Sequence, residues 1–528
     1  MLFNSYAFLL LYLPITLAAF FALGSYNRAL AALWLFAASL FFYGWWNPAY
    51  LGLLLGSILF NFAAGSAISR EVHRGRVARA KGLLIAAVSA DLALLAYYKY
   101  ANFFLDNVNQ LLDTGWQLGE IILPLGISFF TFTQIAFLVD SYRGEVKERN
   151  FVHYGLFVTF FPHLIAGPVL HHKEMMPQFA QARTYRPHLE NISVGLTLFI
   201  LGLFKKTVLA DGIADYSTPV FDAAASGQAL TFFVAWGGAL AYTFQLYFDF
   251  SAYSDMAIGI ARVFGIKLPL NFHSPYKATN IIEFWRRWHM TLSRFLRDYL
   301  YFALGGNRKG SMRRYINLML TMLLGGLWHG AGWTFLAWGG LHGLYLCVNH
   351  AWKHLVARMG LKPLLPRPFG KLLAWLTTFV AVVIGWVFFR ASSFDAALEI
   401  LRGMAGLNGA AVPNAIAAQL GDAWQLLAGI GLTTYLGGGA RFIFTWLWIV
   451  LLLIVVTAMP NTQQIMRRFE PALQQLDGNA HDEIRLMHRL YPVLVWRPSA
   501  AWAVATGVAA ALAVFAMSRI SEFLYFQF

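Results

Sequence analysis

The sequence predicts an all-α protein that crosses a membrane many times, and three observations lead to that fold class. Charged residues make up only 12% of the 528 residues, about half the share in soluble domains, which argues against an ordinary cytosolic enzyme. The hydrophobic fraction is 59%, and it is arranged in long apolar stretches. The chain has one cysteine, which excludes a disulfide scaffold. We predict a single membrane domain over residues 1–528.

The candidate spanning helices follow one another along the whole chain. Ten stretches are apolar and near the length that crosses a bilayer: residues 6–24, 29–46, 50–68, 83–98, 121–139, 194–210, 229–248, 372–389, 442–459 and 500–517. Four more are interrupted by Gly, Pro or His: residues 151–169, 252–266, 316–326 and 333–348. Together they predict roughly 11–13 membrane helices and half-helices. The first stretch lacks a preceding basic region, so we interpret it as a retained span.

The charge balance predicts how the chain is oriented. It has 40 Lys and Arg residues against 25 Asp and Glu, a net charge of +15. Basic residues are concentrated in segments 69–82 and 307–314, which we place on the cytoplasmic side. No water-facing basic domain with interleaved aromatic residues is visible, so we exclude nucleic acid as a partner. A polar connector near 461–497 has mixed charge and is assigned no chemistry.

Residues 282–301 have the periodicity of an amphipathic helix at the membrane interface. Its polar face carries four arginines: Arg286, Arg287, Arg294 and Arg297. This face either contacts lipid phosphates or binds a phosphate-bearing donor such as coenzyme A. His289 falls at the edge of the apolar side, where a neutral imidazole would suit a general base. The alternative is a structural histidine bonded to a backbone carbonyl, which this helix alone favours.

A second histidine lies inside the apolar, glycine-rich stretch 320–343. His329 has glycines on both sides, and His342 follows in a similar context rich in Gly and Trp. An ionisable residue inside a membrane segment is a functional-site hypothesis by default. Because glycines weaken a helix and allow close backbone approach, the stretch predicts a broken helix or a narrow pore.

The residues around these histidines limit the kinds of reaction or transport that the site can support. A metal site needs ligands at fixed spacing, such as a histidine pair with a carboxylate, and none accompanies them, so we predict no metal. The GxSxG elbow of a serine hydrolase is absent. Proton-coupled transport needs intramembrane carboxylates in series, for which Asp91, Asp249 and Asp255 are the candidates. Acyl transfer to a hydroxyl needs only one base and a thioester donor.

Other polar residues have a structural interpretation. We expect Asp249, Tyr253 and Asp255 to cap and bond helices at a break in the bundle, with the lining of a tunnel as the alternative. We expect His171 and His172 to be solvated in a loop.

Long motifs in a fixed order resemble one known family over nearly the whole chain. They are LPLGISFFTF (123–132), FPHLIAGPVL (161–170), QLYFDFSAYSDMAIG (245–259), EFWRRWHMTLSRFLRDYLYFALGGNRKG (283–310), LTMLLGGLWHG (320–330), GWVFFRA (385–391) and FLYFQF (523–528). On these motifs the sequence resembles the membrane-bound O-acyltransferases, in the bacterial branch that acetylates exported polysaccharides such as alginate. The resemblance implies a funnel-shaped helical fold around a central tunnel, in the bacterial inner membrane.

The resemblance also implies which residues act. The WHG motif places the main catalytic residue of the family at His329, and the RRWH motif places a second position at His289. His342 and Trp328 are support candidates. The resemblance implies no bound cofactor, with acetyl-CoA as the acetyl donor. The four arginines would then help to hold the phosphates of coenzyme A.

The implied activity is a relay of acetyl groups across the membrane. The implied partners are membrane lipid, a periplasmic acetyltransferase of the SGNH type with a serine-hydrolase-like fold, and the polysaccharide synthesis and export machinery. Alginate is the expected polymer, with cellulose or peptidoglycan as alternatives. Two other classes stay open, a secondary transporter of an acyl donor or sugar and a non-catalytic scaffold of an export complex. A transporter often has inverted repeats, which the sequence does not display.

Overall fold

The computed structural model is built almost entirely of helices. It describes residues 1–119, 121–360, 366–474, 491–517 and 523–524. Residues 475–490 of the predicted polar connector and 525–528 of the terminal motif lie outside the described residues.

The described residues of the N-terminal half form ten α-helices, a 3₁₀ turn and two short π-helical segments. The helices are α1 (Leu13–Tyr26), α2 (Arg28–Gly44), α3 (Tyr50–His73), α4 (Val77–Leu112), α5 (Ile127–Tyr142), α6 (Phe151–Thr159), α7 (His172–Phe179), α8 (Leu189–Phe204), α9 (Asp211–Ala225) and α10 (Phe232–Val263). The π segments are Phe8–Tyr12 and Lys205–Ala210, and the 3₁₀ turn is Ala182–Tyr185.

The C-terminal half alternates long helices with short ones. Its helices are α11 (Ile281–Trp285), α12 (Met290–Phe295), α13 (Gly310–His329), α14 (Trp333–Met359), α15 (Arg367–Arg390), α16 (Phe394–Met404), α17 (Asn414–Leu420), α18 (Asp422–Gly429), α19 (Gly439–Ala458), α20 (Thr462–Ile465), α21 (Tyr491–Leu494) and α22 (Ala500–Ala516). A π segment covers Leu296–Tyr301, and 3₁₀ turns cover Pro275–Lys277 and Arg467–Phe469. Strands β1 (Ala410–Pro413) and β2 (Leu432–Tyr435) pair in parallel, with Ala410 opposite Leu432.

Six helical segments in the described part of the chain are long and apolar enough to cross a membrane. They are Phe8–Tyr26, Tyr50–His73, Val77–Leu112, Leu189–Ala225, Arg367–Arg390 and Gly439–Ala458. The helices α2 and α22 are apolar but shorter. These segments confirm the predicted all-α fold of a multi-pass membrane protein.

The helix α10 lies between two apolar cores. Tyr253 and Met256 on α10 belong to the core formed with the N-terminal helices. Phe244 and Phe250 belong to the core formed with the C-terminal helices. A single uninterrupted helix therefore connects both halves of the molecule.

The predicted break of the bundle near residues 249–255 is wrong. The carboxylates of Asp249 and Asp255 pair with lysines on the π segment Lys205–Ala210. Lys206 Nζ lies 2.7 Å from Asp249 Oδ1, and Lys205 Nζ lies 2.8 Å from Asp255 Oδ2. A buried carboxylate that is paired in this way can remain inside an apolar bundle. The helix therefore continues past both residues, and the predicted bonding between helices is present.

The predicted continuous helix over residues 282–301 is also wrong. The helix α11 ends at Trp285, and α12 begins only at Met290, after His289 adopts a left-handed φ of 41°. The backbone amide of Met290 donates to the backbone oxygen of Asn271 over 2.9 Å. A contact with a distant segment thus replaces the helical hydrogen bonds that periodicity predicts.

The helices α13 and α14 cross at very short range. A Cβ added at Gly326 would lie 2.3 Å from the backbone oxygen of Phe335, and one added at Gly339 would lie 2.3 Å from that of Met322. Only glycine permits backbones to approach this closely. The crossing places the end of α13, which carries His329, against the start of α14.

Candidate active site

His289 is fully buried and bonded to a side chain from another segment. Its Nδ1 lies 3.0 Å from Asn271 Oδ1, and the Phe250 ring centroid lies 4.7 Å from its own. Asn271 Nδ2 donates to Ser254 Oγ over 3.2 Å, which directs the amide oxygen towards the histidine. Because an amide oxygen can only accept, Nδ1 carries the proton and Nε2 carries the lone pair. A neutral imidazole in this tautomer can accept a proton at Nε2.

His329 is the last residue of α13 and lies in an aromatic wall. Its ring centroid is 4.9 Å from that of Trp328 and 5.1 Å from those of Trp338 and Phe389. The chain beyond it is extended at Gly330 and Gly332, so the predicted helix break is present directly after the histidine. The His289 and His329 ring centroids are 6.4 Å apart. The structure thus brings the two predicted histidines into one site.

The two support candidates pack on the same wall. The ring centroid of Trp338 lies 4.9 Å from that of His342, so one indole contacts both His342 and His329. Among the described residues, neither ring nitrogen of His342 has a hydrogen-bond partner. Trp328 stacks on Phe132 with 5.3 Å between centroids. These contacts place aromatic rings around His329. The catalytic roles of His289 and His329 and the supporting roles of His342 and Trp328 stay predictions.

One cavity is lined by His329, and a second is lined by Lys99, which bonds to the turn at His329. The smaller one has a volume of about 20 Å³, which is room for about one water molecule, and His329, Asp249 and Leu524 line it together with aromatic rings. The larger one has a volume of about 470 Å³, and Lys99 lies in its wall. Lys99 Nζ donates to the backbone oxygen of His329 over 3.1 Å, so a residue in the wall of the larger cavity is bonded to a residue in the wall of the smaller one.

The four predicted donor-binding arginines do not share one helix face, because the chain turns between α11 and α12. Arg287 pairs with Glu283 at 2.8 Å, Arg294 forms a bidentate pair with Glu174, and Arg297 pairs with Asp298 at 2.8 Å. The side chains of Arg286 and Arg297 are exposed. Binding of phosphates by this group stays a prediction.

His171 and His172 are buried, so the expectation of a solvated loop is wrong. His171 Nδ1 lies 3.0 Å from the Tyr299 hydroxyl, which donates to Asp140 Oδ2 over 2.9 Å. His172 Nδ1 lies 3.1 Å from the same carboxylate oxygen. Burial lowers the pKa of His171 to about 4, so its ring is neutral at pH 7. The neighbouring Lys173 leads us to expect a solvated loop. Its side chain is exposed, but the two histidines beside it are buried.

Sequence reasoning missed Asn271, Lys99 and Trp338, and also Tyr100, which donates its hydroxyl proton to the backbone oxygen of Leu327 near the end of α13. Asn271 is 18 residues from His289 along the chain, and nothing in its local sequence indicates the contact. Lys99 did carry a signal, because it is an ionisable residue next to a predicted span. Within the described ranges, no group of three or more His, Cys, Asp or Glu residues could hold a metal ion.

Comparison with known proteins places these residues in a family context. The profile of the membrane-bound O-acyltransferase family, MBOAT, matches residues 16–393, which include His289, His329 and His342. The peptidoglycan O-acetyltransferase of Helicobacter pylori is 46% identical over 437 residues, covering 78% of this chain and 80% of that protein. The probable alginate O-acetylase AlgI of Pseudomonas aeruginosa is 43% identical over 410 residues, covering 76% and 75%. The teichoic acid D-alanyltransferase of Streptococcus thermophilus is 30% identical over 284 residues, covering 50% and 68%.

Proposed function

This chain belongs to the membrane-bound O-acyltransferase family, and from that premise we propose that it passes acetyl groups from cytoplasmic acetyl-CoA across the bacterial inner membrane to an exported polysaccharide. It is a multi-pass membrane O-acyltransferase that modifies polysaccharide, as its family and its relatives establish. The observation that carries the proposal is the pair His289 and His329, with ring centroids 6.4 Å apart inside an apolar wall. A transporter or a scaffold has no need of such a pair.

Helix lengths support transfer across the membrane. If the basic segment 307–314 is cytoplasmic, α13 starts at that side with Gly310, and His329 lies roughly 28 Å along its axis. If segment 69–82 is cytoplasmic, Lys99 on α4 lies roughly 33 Å from Val77. Since Lys99 contacts His329, the two estimates agree, and under both conditions the larger cavity would belong to the periplasmic side.

The proposed reaction is attack of an acceptor hydroxyl on the thioester of acetyl-CoA. His329 takes the proton of the hydroxyl while the hydroxyl oxygen forms a bond with the carbonyl carbon of the acetyl group. The carbon–sulfur bond breaks, an ester forms, and the proton passes to the departing thiolate of coenzyme A. His289, with Nδ1 held by Asn271, assists at the donor end. Burial of both rings supports the proposal, because it keeps water away from the thioester.

The donor would approach from the side of α11 and α12. We propose that Arg286, Arg287, Arg294 and Arg297 hold the phosphates of coenzyme A. The exposed side chain of Arg286 would bind a phosphate directly, whereas exposed Arg297 would have to exchange the carboxylate of Asp298 for phosphate. Arg287 and Arg294 would have to exchange the carboxylates of Glu283 and Glu174 for phosphate.

The final acceptor would be reached through a periplasmic partner of the SGNH type. The relatives in Helicobacter pylori and Pseudomonas aeruginosa are named for peptidoglycan and alginate, at 46% and 43% identity. We propose an O-acetylated exported polymer of one of these two classes, with alginate first because alginate O-acetylases of several species are among the relatives. Base-labile acetyl released from each purified polymer distinguishes the two.

The test is the change His329→Ala in cells that express the full chain. We expect the acetyl ester content of the polymer to fall by about 100-fold or more, the contribution of a general base. The matched control is His354→Ala, since His354 is an exposed histidine on α14. Wild-type acetylation by His329→Ala at normal membrane levels would overturn the catalytic role of His329.

A further inference from the structure

The end of α13 is held by side chains from α4. The last carbonyls of an α-helix have no partner within the helix. Tyr100 donates its hydroxyl proton to the backbone oxygen of Leu327 over 2.8 Å. Lys99 Nζ donates to the backbone oxygens of Trp328 over 2.6 Å and of His329 over 3.1 Å. The three consecutive backbone carbonyls of residues 327–329, at the end of α13, are thus bonded to two adjacent residues of α4.

The ammonium of Lys99 is held in place from a third side. Ser128 Oγ on α5 lies 3.3 Å from Nζ, so the three contacts match the three protons of an ammonium group. A cation at a helix C-terminus interacts favourably with the negative end of the helix dipole. An ionisable residue inside a membrane bundle is a functional-site hypothesis by default, and Lys99 is bonded to the turn of His329.

We propose that Lys99 is a positioning residue, which acts through the backbone oxygens of Trp328 and His329 to hold the His329 ring in its reactive orientation. The inference rests on the proposed function and adds a residue to its site. Gly330 and Gly332 follow His329 and adopt extended conformations, so the chain after the histidine provides no helical support. The contacts from α4 supply the restraint that the helix end lacks.

The first experiment replaces Lys99 by methionine and, separately, by arginine. Release of coenzyme A from acetyl-CoA is measured in inner-membrane vesicles that contain the full chain and are prepared from cells that also make the acceptor polymer and its export machinery. We expect Lys99→Met to lower kcat by about 100-fold, the cost of a displacement of about 1 Å at a reacting group. The KM for acetyl-CoA should stay unchanged, because Lys99 bonds to Ser128 and to the turn at the end of α13, whereas the proposed donor site is on α11 and α12. Lys99→Arg should restore most of kcat, since arginine keeps the charge and the donors.

Tyr100→Phe provides an independent check of the same turn. It removes only the bond to the backbone oxygen of Leu327. We expect a smaller fall in kcat, and we expect the double change with Lys99→Met to cost less than the product of the two single effects. If the fall in kcat of the double variant equals the product of the two single falls, Lys99 and Tyr100 do not act together on this turn.

The matched control is Lys277→Met. Lys277 Nζ donates to the backbone oxygen of Met459 over 2.8 Å, so it too bonds the end of a helix, in this case α19. We expect this change to leave kcat unaltered. An equal loss of kcat in Lys99→Met and Lys277→Met would show general destabilisation and overturn the proposal.

A measurement that does not need enzyme activity separates this inference from the proposed function. The rate at which diethylpyrocarbonate modifies His329 is followed by mass spectrometry of the full chain. We expect faster modification in Lys99→Met and an unchanged rate in Lys277→Met. An unchanged rate in Lys99→Met would overturn the role of Lys99, whether or not acetyl-CoA is the donor. Absence of coenzyme A release in wild-type vesicles would count against the proposed donor alone.

Discussion

At His289 the backbone adopts a conformation that residues other than glycine seldom use. Its φ is 41°, and strain of this kind costs on the order of 1–3 kcal/mol. Asn271 holds the conformation through Oδ1, which accepts from Thr291 Oγ1 over 2.9 Å and lies 3.0 Å from His289 Nδ1. One amide side chain thus fixes both the backbone turn and the tautomer of the imidazole.

Asn271→Ala should therefore reduce acetyl transfer without removing either histidine. We expect a fall of about 100-fold or more, because the tautomer that presents Nε2 is no longer favoured. Acetyl ester on the polymer is the measurement, normalised to the amount of protein in the membrane. Asn414→Ala is the control, since the exposed Asn414 also accepts a hydrogen bond, from the backbone amide of Gly437. Full activity of Asn271→Ala would remove the orienting role of Asn271.

At the level of helices, α10 and the π segment Lys205–Ala210 are joined by buried ion pairs. The side chains of Lys206 and Asp249 are each only 2% exposed, and Lys206 Nζ also lies 2.9 Å from Asp211 Oδ1. A π segment inside a helix often occurs at a functional position. Here it turns two consecutive lysines towards carboxylates, and Asp249 in turn lines the smaller cavity beside His329.

Loss of one member of this pair should cost more than loss of both. We expect Lys206→Met to destabilise the protein by about 3–5 kcal/mol, because Asp249 is left as a buried charge without its principal cation. Adding Asp249→Asn should recover part of that loss. Thermal unfolding of the purified protein in detergent measures both variants. A double variant that is no more stable than Lys206→Met would contradict the pairing.

The crossing of α13 and α14 makes a second prediction at this scale. Gly326→Ala places a Cβ 2.3 Å from the backbone oxygen of Phe335, so the helices must separate. We expect a loss of about 1–3 kcal/mol in stability and a large fall in acetylation, as His329 moves away from Trp338. Gly340→Ala is the control, because its Cβ would lie 3.6 Å from Leu323 Cδ2, an ordinary contact. Equal activity of the two variants would contradict a positioning role for the crossing.

For the whole molecule, local sequence patterns predict the helices and the helix break at His329. They do not predict the contacts between segments that are distant along the chain. Apolar stretches and an ionisable residue among glycines are local signals, and the structure contains the corresponding spans and helix break. The continuity of α10 depends on Lys205, which lies 50 residues before Asp255. The turn at His289 depends on Asn271. Periodicity cannot reveal either contact, because it reports only on neighbours along the chain.

The orientation of the molecule is a prediction at the same scale. In a Cys347→Ser background, we expect Arg76→Cys to react with a membrane-impermeant maleimide only after spheroplasts are permeabilised. Trp45→Cys should react in intact spheroplasts, because exposed Trp45 lies at the opposite end of α3 from the basic segment 69–82. Labelling is read on the purified chain. The reverse pattern would place the larger cavity on the cytoplasmic side.

The smaller cavity has a consequence for which acyl groups the protein transfers. Its wall contains the indoles of Trp288, Trp338 and Trp386, and about 20 Å³ of space remains beside His329. Because this space holds about one water molecule, an acetyl group already requires the rings to move apart, and each additional methylene adds a cost of about 1–3 kcal/mol. We expect a preference of about tenfold or more for acetyl over propionyl thioesters. Packing around one histidine would thereby set the chemical mark that the finished polymer carries.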